Sequence, residues 1–255
     1  MPHDFLTASV LAVSAWMALG CAVSFVRRRG DLADPWWAAG LGLLGAWGLA
    51  QAWGAWAATV PALLLAVSSL RLFVYLVRRF PAAEDFRYAD WRRDWGTSYV
   101  WRAPLQIWIL QGVLLWTAAL PVTAARPMAW EPWHAWALGV GVAVWAAGLT
   151  FESVADRQLA RFRADPANKG GLLTSGVWAW SRHPNYFGEA LAWWGIALAA
   201  LPSAGPLALA SPVLMTLLLR FVSGVPMLER AWASRPGFGA WVRRTNAFFP
   251  WFPKP

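Results

Sequence analysis

Apolar runs of around 20 residues alternate with short polar segments along this chain, a rhythm that a bilayer requires and a soluble core does not. The runs fall at residues 5–26, 35–58, 60–77, 104–120, 133 onward, 185–201 and 207–225, which predicts an all-α bundle of about seven transmembrane helices. The first run has no basic residue before it and Arg27, Arg28 and Arg29 directly after it. A cleaved signal peptide has the opposite layout, so this run reads as a retained helix. Pro35 and Pro104 open the second and fourth runs. The fifth meets no breaker, and its pattern continues through FESVADRQLARFR, as expected of a helix that leaves the lipid and runs on in water. From Met227 the tail sets Leu228, Trp232, Phe238, Trp241, Phe248 and Phe249 against Arg230, Arg235, Arg243 and Arg244, which predicts a C-terminal interfacial helix.

Composition agrees with the pattern. Hydrophobic residues make up 58% and charged residues 14%, against a charged share of roughly 25% in soluble domains. Many of the 22 tryptophans stand near the ends of apolar runs, where membrane interfaces favour them. The single cysteine, Cys21, permits no internal disulfide, and three histidines are too few for a multi-histidine metal centre, so no metal is expected. The net charge of +9 would suit nucleic acid, but the basic residues belong to loops between spans. Nineteen of the 22 Lys and Arg residues fall on one side of the seven-span arrangement and only Arg126 on the other, with Arg71 and Arg220 inside spans. That bias puts the N-terminus outside and the C-terminus in the cytoplasm, and makes nucleic acid an unneeded partner. Residues 1–255 read as one integral-membrane domain.

Candidate chemistry gathers at two polar corners. The stretch WAWSRHPNYFGEALAWW, residues 178–194, starts polar and turn-prone and becomes an apolar helix with Glu189 one turn after Asn185, on the same side. Glu152, Asp156 and Arg163 fall at i, i+4 and i+11, close to one helical stripe that can bind ribose hydroxyls, an amide or phosphate. Lys169, Arg182 and His183, in a loop entering a helix, suit an anionic group. Arg71, Glu152, Glu189 and Arg220 lie within or at the edge of spans, toward their cytoplasmic ends. A charge at mid-bilayer costs about 2.5–3.5 kcal/mol on insertion scales, so such residues face a polar cavity or one another. No glycine-rich GxGxxG fingerprint, Walker loop or GxSxG elbow is present, so a nucleotide would have to bind among the helices.

The segments FESVADRQLARF, NKGGLLTSGVWAWSRHPNYFGEALAWWG and LLLRFVSGVPMLE resemble the bacterial branch of the steroid 5-alpha-reductase C-terminal superfamily. The likeness is dense over residues 150–230, and residues 70–120, with LQIWILQG, fit the same branch. It implies a multi-pass reductase, in a bacterial inner membrane, that uses NADPH on a carbon–carbon double bond beside a carbonyl in a lipid-like substrate. It also implies that residues 126–255 hold the cofactor and that residues 1–125 form the scaffold and substrate side. By motif, Asp156, Arg163, Asn185 and Glu189 match positions expected to hold NADPH, and Arg182, His183 and Tyr186 line the same motif; Glu152, Lys169 and Arg220 join them as candidates. Steroid reductases carry an early Gln-Glu pair and a later tyrosine that polarise the substrate carbonyl. Here Gln51 is followed by Ala52, so Gln51, Tyr75 and Glu189 are the candidates at the reacting end.

The Arg-His-Pro-x-Tyr-x-Gly corner is shared with isoprenylcysteine carboxyl and phospholipid methyltransferases, which bind S-adenosylmethionine there. A membrane methyltransferase and a non-catalytic lipid-binding protein are the alternatives. Glu189 directly after the glycine and the FES-x-x-D helix favour the reductase.

Overall fold

The computed structural model describes residues 4–52 and 55–254, and the described residues are overwhelmingly helical. Residues 53 and 54, within the second expected span, lie outside the described residues. Helix is what lipid demands, since a backbone group without water must be satisfied within its own segment. Among the described residues, four helical stretches are long and apolar enough to cross a membrane: Phe5–Arg27, Trp56–Arg78, Pro132–Ala164 and Pro184–Trp232. The chain divides into two compact units, one running to Leu138 and taking in Ala199–Ser211, the other formed by Gly139–Leu198 and Pro212–Pro255.

The first unit contains α1 (Asp4–Arg27), α2 (Ala33–Gln51) and α3 (Trp56–Arg78). It continues through α4 (Phe86–Trp95), α5 (Tyr99–Arg102), a π-helical turn (Ala103–Ile109), α6 (Leu110–Ala118) and α7 (Leu120–Thr123). The indoles of Trp16 and Trp36 stack 4.6 Å apart, and each donates its N–H to the other's backbone carbonyl, at 3.1 and 2.9 Å. Two partly buried donors are thereby satisfied within the protein while α1 is pinned to α2. Helices α2 and α3 run antiparallel. A Cβ on Gly45 would lie 2.9 Å from Ala66 N, one on Gly48 3.2 Å from Ala62 Cβ, and one on Gly42 3.7 Å from Ser69 Cβ.

The mixed-charge segment 78–103 is folded against α1 and α2. Arg29 grips Asp31 with two nitrogens, at 3.0 and 2.6 Å, and donates to the carbonyls of Pro81, Ala82 and Ala83. Asp85 caps α4 by accepting from Arg87 N at 3.0 Å. Asp34 accepts from Arg87 at 2.8 Å and from the Tyr88 hydroxyl, and Gln111 donates to Tyr88 at 3.4 Å.

The second unit is built on most of α8 (Pro132–Ala164) and α9 (Pro184–Ala204), with α10 (Ala210–Leu217), α11 (Val225–Trp232) and α12 (Phe238–Arg244). Helix α8 does continue without a break to Ala164, as its pattern predicts. The tail corrects the expectation of one interfacial helix. It breaks at Gly237, whose φ of 80° is left-handed, into α11 and α12. Trp232 and Trp241 are buried with Ala155 and Trp178, and Phe248 with Ala190, Leu219 and Val225. These aromatics build this unit's own core, although Phe249, Trp251 and Phe252 stay exposed.

Candidate functional site

The site begins with the approach of two helices. A Cβ on Gly188 would stand 2.5 Å from the backbone nitrogen of Glu152, one on Gly148 2.7 Å from Gly188 O, and one on Gly195 2.7 Å from Gly141 O. Small residues let α8 and α9 touch backbone to backbone, antiparallel, as membrane helices do where polar groups must meet. This register sets Asp156 beside the start of α9, where Asn185 donates from Nδ2 to Asp156 Oδ1 at 3.3 Å. Glu152 and Asp156 are both buried, and Glu189 is half-buried one turn beyond Asn185. The two corners read from the sequence thus meet within one unit.

The loop between the helices is tied down at several points. Trp178 donates its indole N–H to Ala155 O at 3.1 Å, and Gln158 accepts from Val177 N at 3.1 Å. Between α8, this loop and the tail lies a cavity of about 330 Å³. Arg163, Lys169 and Arg235 border it, and Trp178, Trp232 and Trp241 wall it. Cations with aromatic faces form a donor set for a phosphate beside a flat, stacking group.

Arg182 and His183 serve the interior. Arg182 Nε donates to Glu229 Oε1 at 2.8 Å, its Nη1 donates to the carbonyls of Val242 and Thr245, and its backbone N–H donates to Asn246 O at 2.8 Å. Ser181 Oγ donates to Phe248 O at 2.8 Å, and Trp251 N to Trp180 O at 3.0 Å. Residues 245–251 therefore form a strap fastened across the 180–182 segment. Nε and Nη1 of Arg182, a candidate for ligand contact, are thus turned to Glu229 and the strap. His183 is fully buried, its ring stacked between Tyr186 at 5.6 Å and Trp232 at 5.3 Å. Burial holds the imidazole below its usual range; Glu229 opposes that shift, and Arg182 and Arg220 reinforce it. Arg220 itself stands on a π-helical turn, Leu218–Val222, with its guanidinium 5.0 Å from the Phe221 ring centroid.

The candidates in the first unit are not brought together. The antiparallel register of α2 and α3 sets Gln51 level with the start of α3 and Tyr75 near its end. Nineteen residues of α3 separate Trp56 from Tyr75, a rise of roughly 28 Å at helical pitch. Gln51 is exposed at the end of α2, and Tyr75 accepts from Arg79 one turn on. They cannot act on one carbonyl as a pair. The same unit holds an apolar cavity of about 800 Å³ lined by Val13, Met17, Cys21, Trp108, Gly112 and Trp116 among others. Sequence reading assigned no role to Glu229 or Trp178, although Glu229 closes the LLLRFVSGVPMLE segment as the lone acid of a basic tail and Trp178 opens the 178–194 stretch.

Four helices long and apolar enough to cross a membrane give the chain the make-up of a membrane protein. Residues 21–245 match the family described as Protein of unknown function (DUF1295), and the chain belongs to that family. Neither a curated protein nor a solved structure matches the chain.

Proposed function

We propose that this protein is a membrane-embedded, NADPH-dependent reductase of a carbon–carbon double bond in a steroid- or enone-type lipid. We place it in a bacterial inner membrane with seven spans, the N-terminus outside and the C-terminus cytoplasmic. The observation that carries the reading is the contact of Asp156 with Asn185, in the same unit as a cavity bordered by Arg163 and Lys169. That donor set fits a phosphorylated nucleotide. The cations suit phosphate oxygens, the tryptophan faces suit a base, and the carboxylates of Asp156 and Glu189 accept from hydroxyl or amide groups. NADPH, when bound, supplies the hydride. Glu152, Asp156, Asn185 and Glu189 orient the ligand at the helix crossing, Tyr186 flanks it, and buried surroundings keep water away. The carbonyl oxygen of the lipid-like substrate takes its hydrogen bond from Tyr75 or Gln51.

The Arg182–Gly188 corner supports a methyltransferase as the second reading. Titration of the purified protein with NADPH, NADP and S-adenosylmethionine separates them. Binding of NADPH is expected; binding of S-adenosylmethionine alone would transfer the site to the second reading, and binding of none would favour a non-catalytic lipid-binding protein.

A further inference from the structure

Glu229 Oε1 meets two neighbours at once, Arg182 Nε at 2.8 Å and His183 Nε2 at 3.3 Å. A carboxylate paired with a buried guanidinium is ionised and can only accept hydrogen bonds. Its contact with Nε2 therefore requires the imidazole proton to sit on Nε2. A neutral imidazole carries one N–H, so Nδ1 is left as a bare acceptor. A second proton is disfavoured by complete burial, which outweighs the opposing pull of Glu229 and is reinforced by the positive charges of Arg182 and Arg220. Nδ1 is buried and has no hydrogen-bond partner among the described residues. A buried acceptor left without a donor is destabilising, which calls for a donor from elsewhere.

We infer that Glu229 is a positioning residue that fixes His183 as the Nε2–H tautomer and so presents Nδ1 as an acceptor to an N–H or O–H group of the bound ligand. Arg182 shares the same carboxylate oxygen, so the clamp on residues 245–251 and the orientation of His183 are set by one side chain. Stacking of the ring between Tyr186 and Trp232 holds its plane, which leaves the position of the proton as the remaining variable. Under the NADPH reading, on which only the ligand's identity rests, the donor is a carboxamide N–H₂ or a ribose hydroxyl.

The chain contains three histidines, His3, His134 and His183, so nitrogen-15 labelling of histidine in the full-length protein in nanodiscs gives a spectrum assignable with His3→Asn and His134→Asn variants. His183 is expected to be neutral at pH 7.5 with Nε2 protonated and Nδ1 bare. The opposite tautomer, or an imidazolium, overturns the inference. Glu229→Ala is expected to give mixed tautomers and an NADPH affinity about tenfold weaker, the equivalent of one lost hydrogen bond. Glu229→Gln, which keeps an acceptor oxygen, is expected to retain the Nε2–H tautomer and bind closer to the parent. Mixed tautomers with unchanged NADPH affinity would overturn the positioning role while leaving the cofactor site standing. A parent that binds no NADPH would sink the cofactor reading instead, and the tautomer spectrum would then decide the positioning claim alone. If Glu229→Ala does not fold, the parent spectrum and Glu229→Gln carry the test.

Discussion

Gly188 and Glu152 meet through their backbones: a methyl group on the glycine would fall 2.5 Å from the glutamate's amide nitrogen. No side-chain rotation relieves that overlap, because the obstacle is main chain. The separation of α8 and α9, and with it the reach from Asn185 to Asp156, depends on the missing Cβ. Gly188→Ala is expected to force the helices apart and to destabilise the protein by about 1–3 kcal/mol, the usual range for overpacking. Thermal unfolding in detergent measures the first effect and NADPH titration the second. A variant with parental stability and affinity would show that the helix approach does not shape the site.

Arg182 holds the strap through side chain and backbone together. Removing the guanidinium leaves Glu229 without its ion-pair partner and frees two carbonyls of the tail. Breaking a buried pair from one side costs about 3–5 kcal/mol, and Glu229 is partly accessible, so Arg182→Ala is expected at the lower end of that range. Limited proteolysis checks it: cleavage after Arg243 or Arg244 should speed up strongly in the variant. Unchanged cleavage would mean that the strap is held by its aromatic contacts alone.

Tyr88 carries a pH dependence. Burial, with the Asp34 carboxylate facing it, pushes the phenol well above its ordinary range. A group whose folded pKa lies above its unfolded value contributes stability that is complete below the unfolded value, about 10 for tyrosine, and is lost as pH rises through the folded one. Tyr88→Phe should lower the unfolding temperature at pH 8 through loss of about 1 kcal/mol from the Asp34 and Gln111 bonds. The gap between parent and variant should then narrow above pH about 10. A gap constant from pH 8 to 11 would contradict the assignment.

Gln51 and Tyr75 cannot both serve one substrate carbonyl. Of Gln51→Ala and Tyr75→Phe, one is expected to lower turnover with NADPH affinity unchanged, and the other to leave the rate alone. A comparable fall in both would contradict the α2/α3 register.

Much of this arrangement was legible beforehand. The continuation of α8 to Ala164 followed from an unbroken run, and the i, i+4 relation of Glu152 and Asp156 placed two acids on one stripe. The meeting of Asp156 with Asn185 was visible only as a shared chemistry, because the glycine register that sets it depends on which helix packs against which. The tail's division into two helices and its part in the core were not legible, because apolar and basic residues at helical spacing serve an interfacial helix and a core-building helix equally. Only the break at Gly237 and the burial of Trp232, Trp241 and Phe248 distinguish them. The loop at 78–103 looked like a topology signal because its partners, Arg29, Asp31 and Asp34, are some fifty residues away in sequence.

The most direct test of the central claim is the affinity of NADPH for three variants beside the parent. Asp156→Ala and Glu189→Gln are each expected to weaken binding by about 1–3 kcal/mol, as for a lost charge-assisted hydrogen bond. Arg243→Ala, exposed on α12, is expected to bind as the parent does. If Asp156→Ala and Glu189→Gln both bind NADPH with parental affinity while folded, the corner formed by α8 and α9 is not the cofactor site.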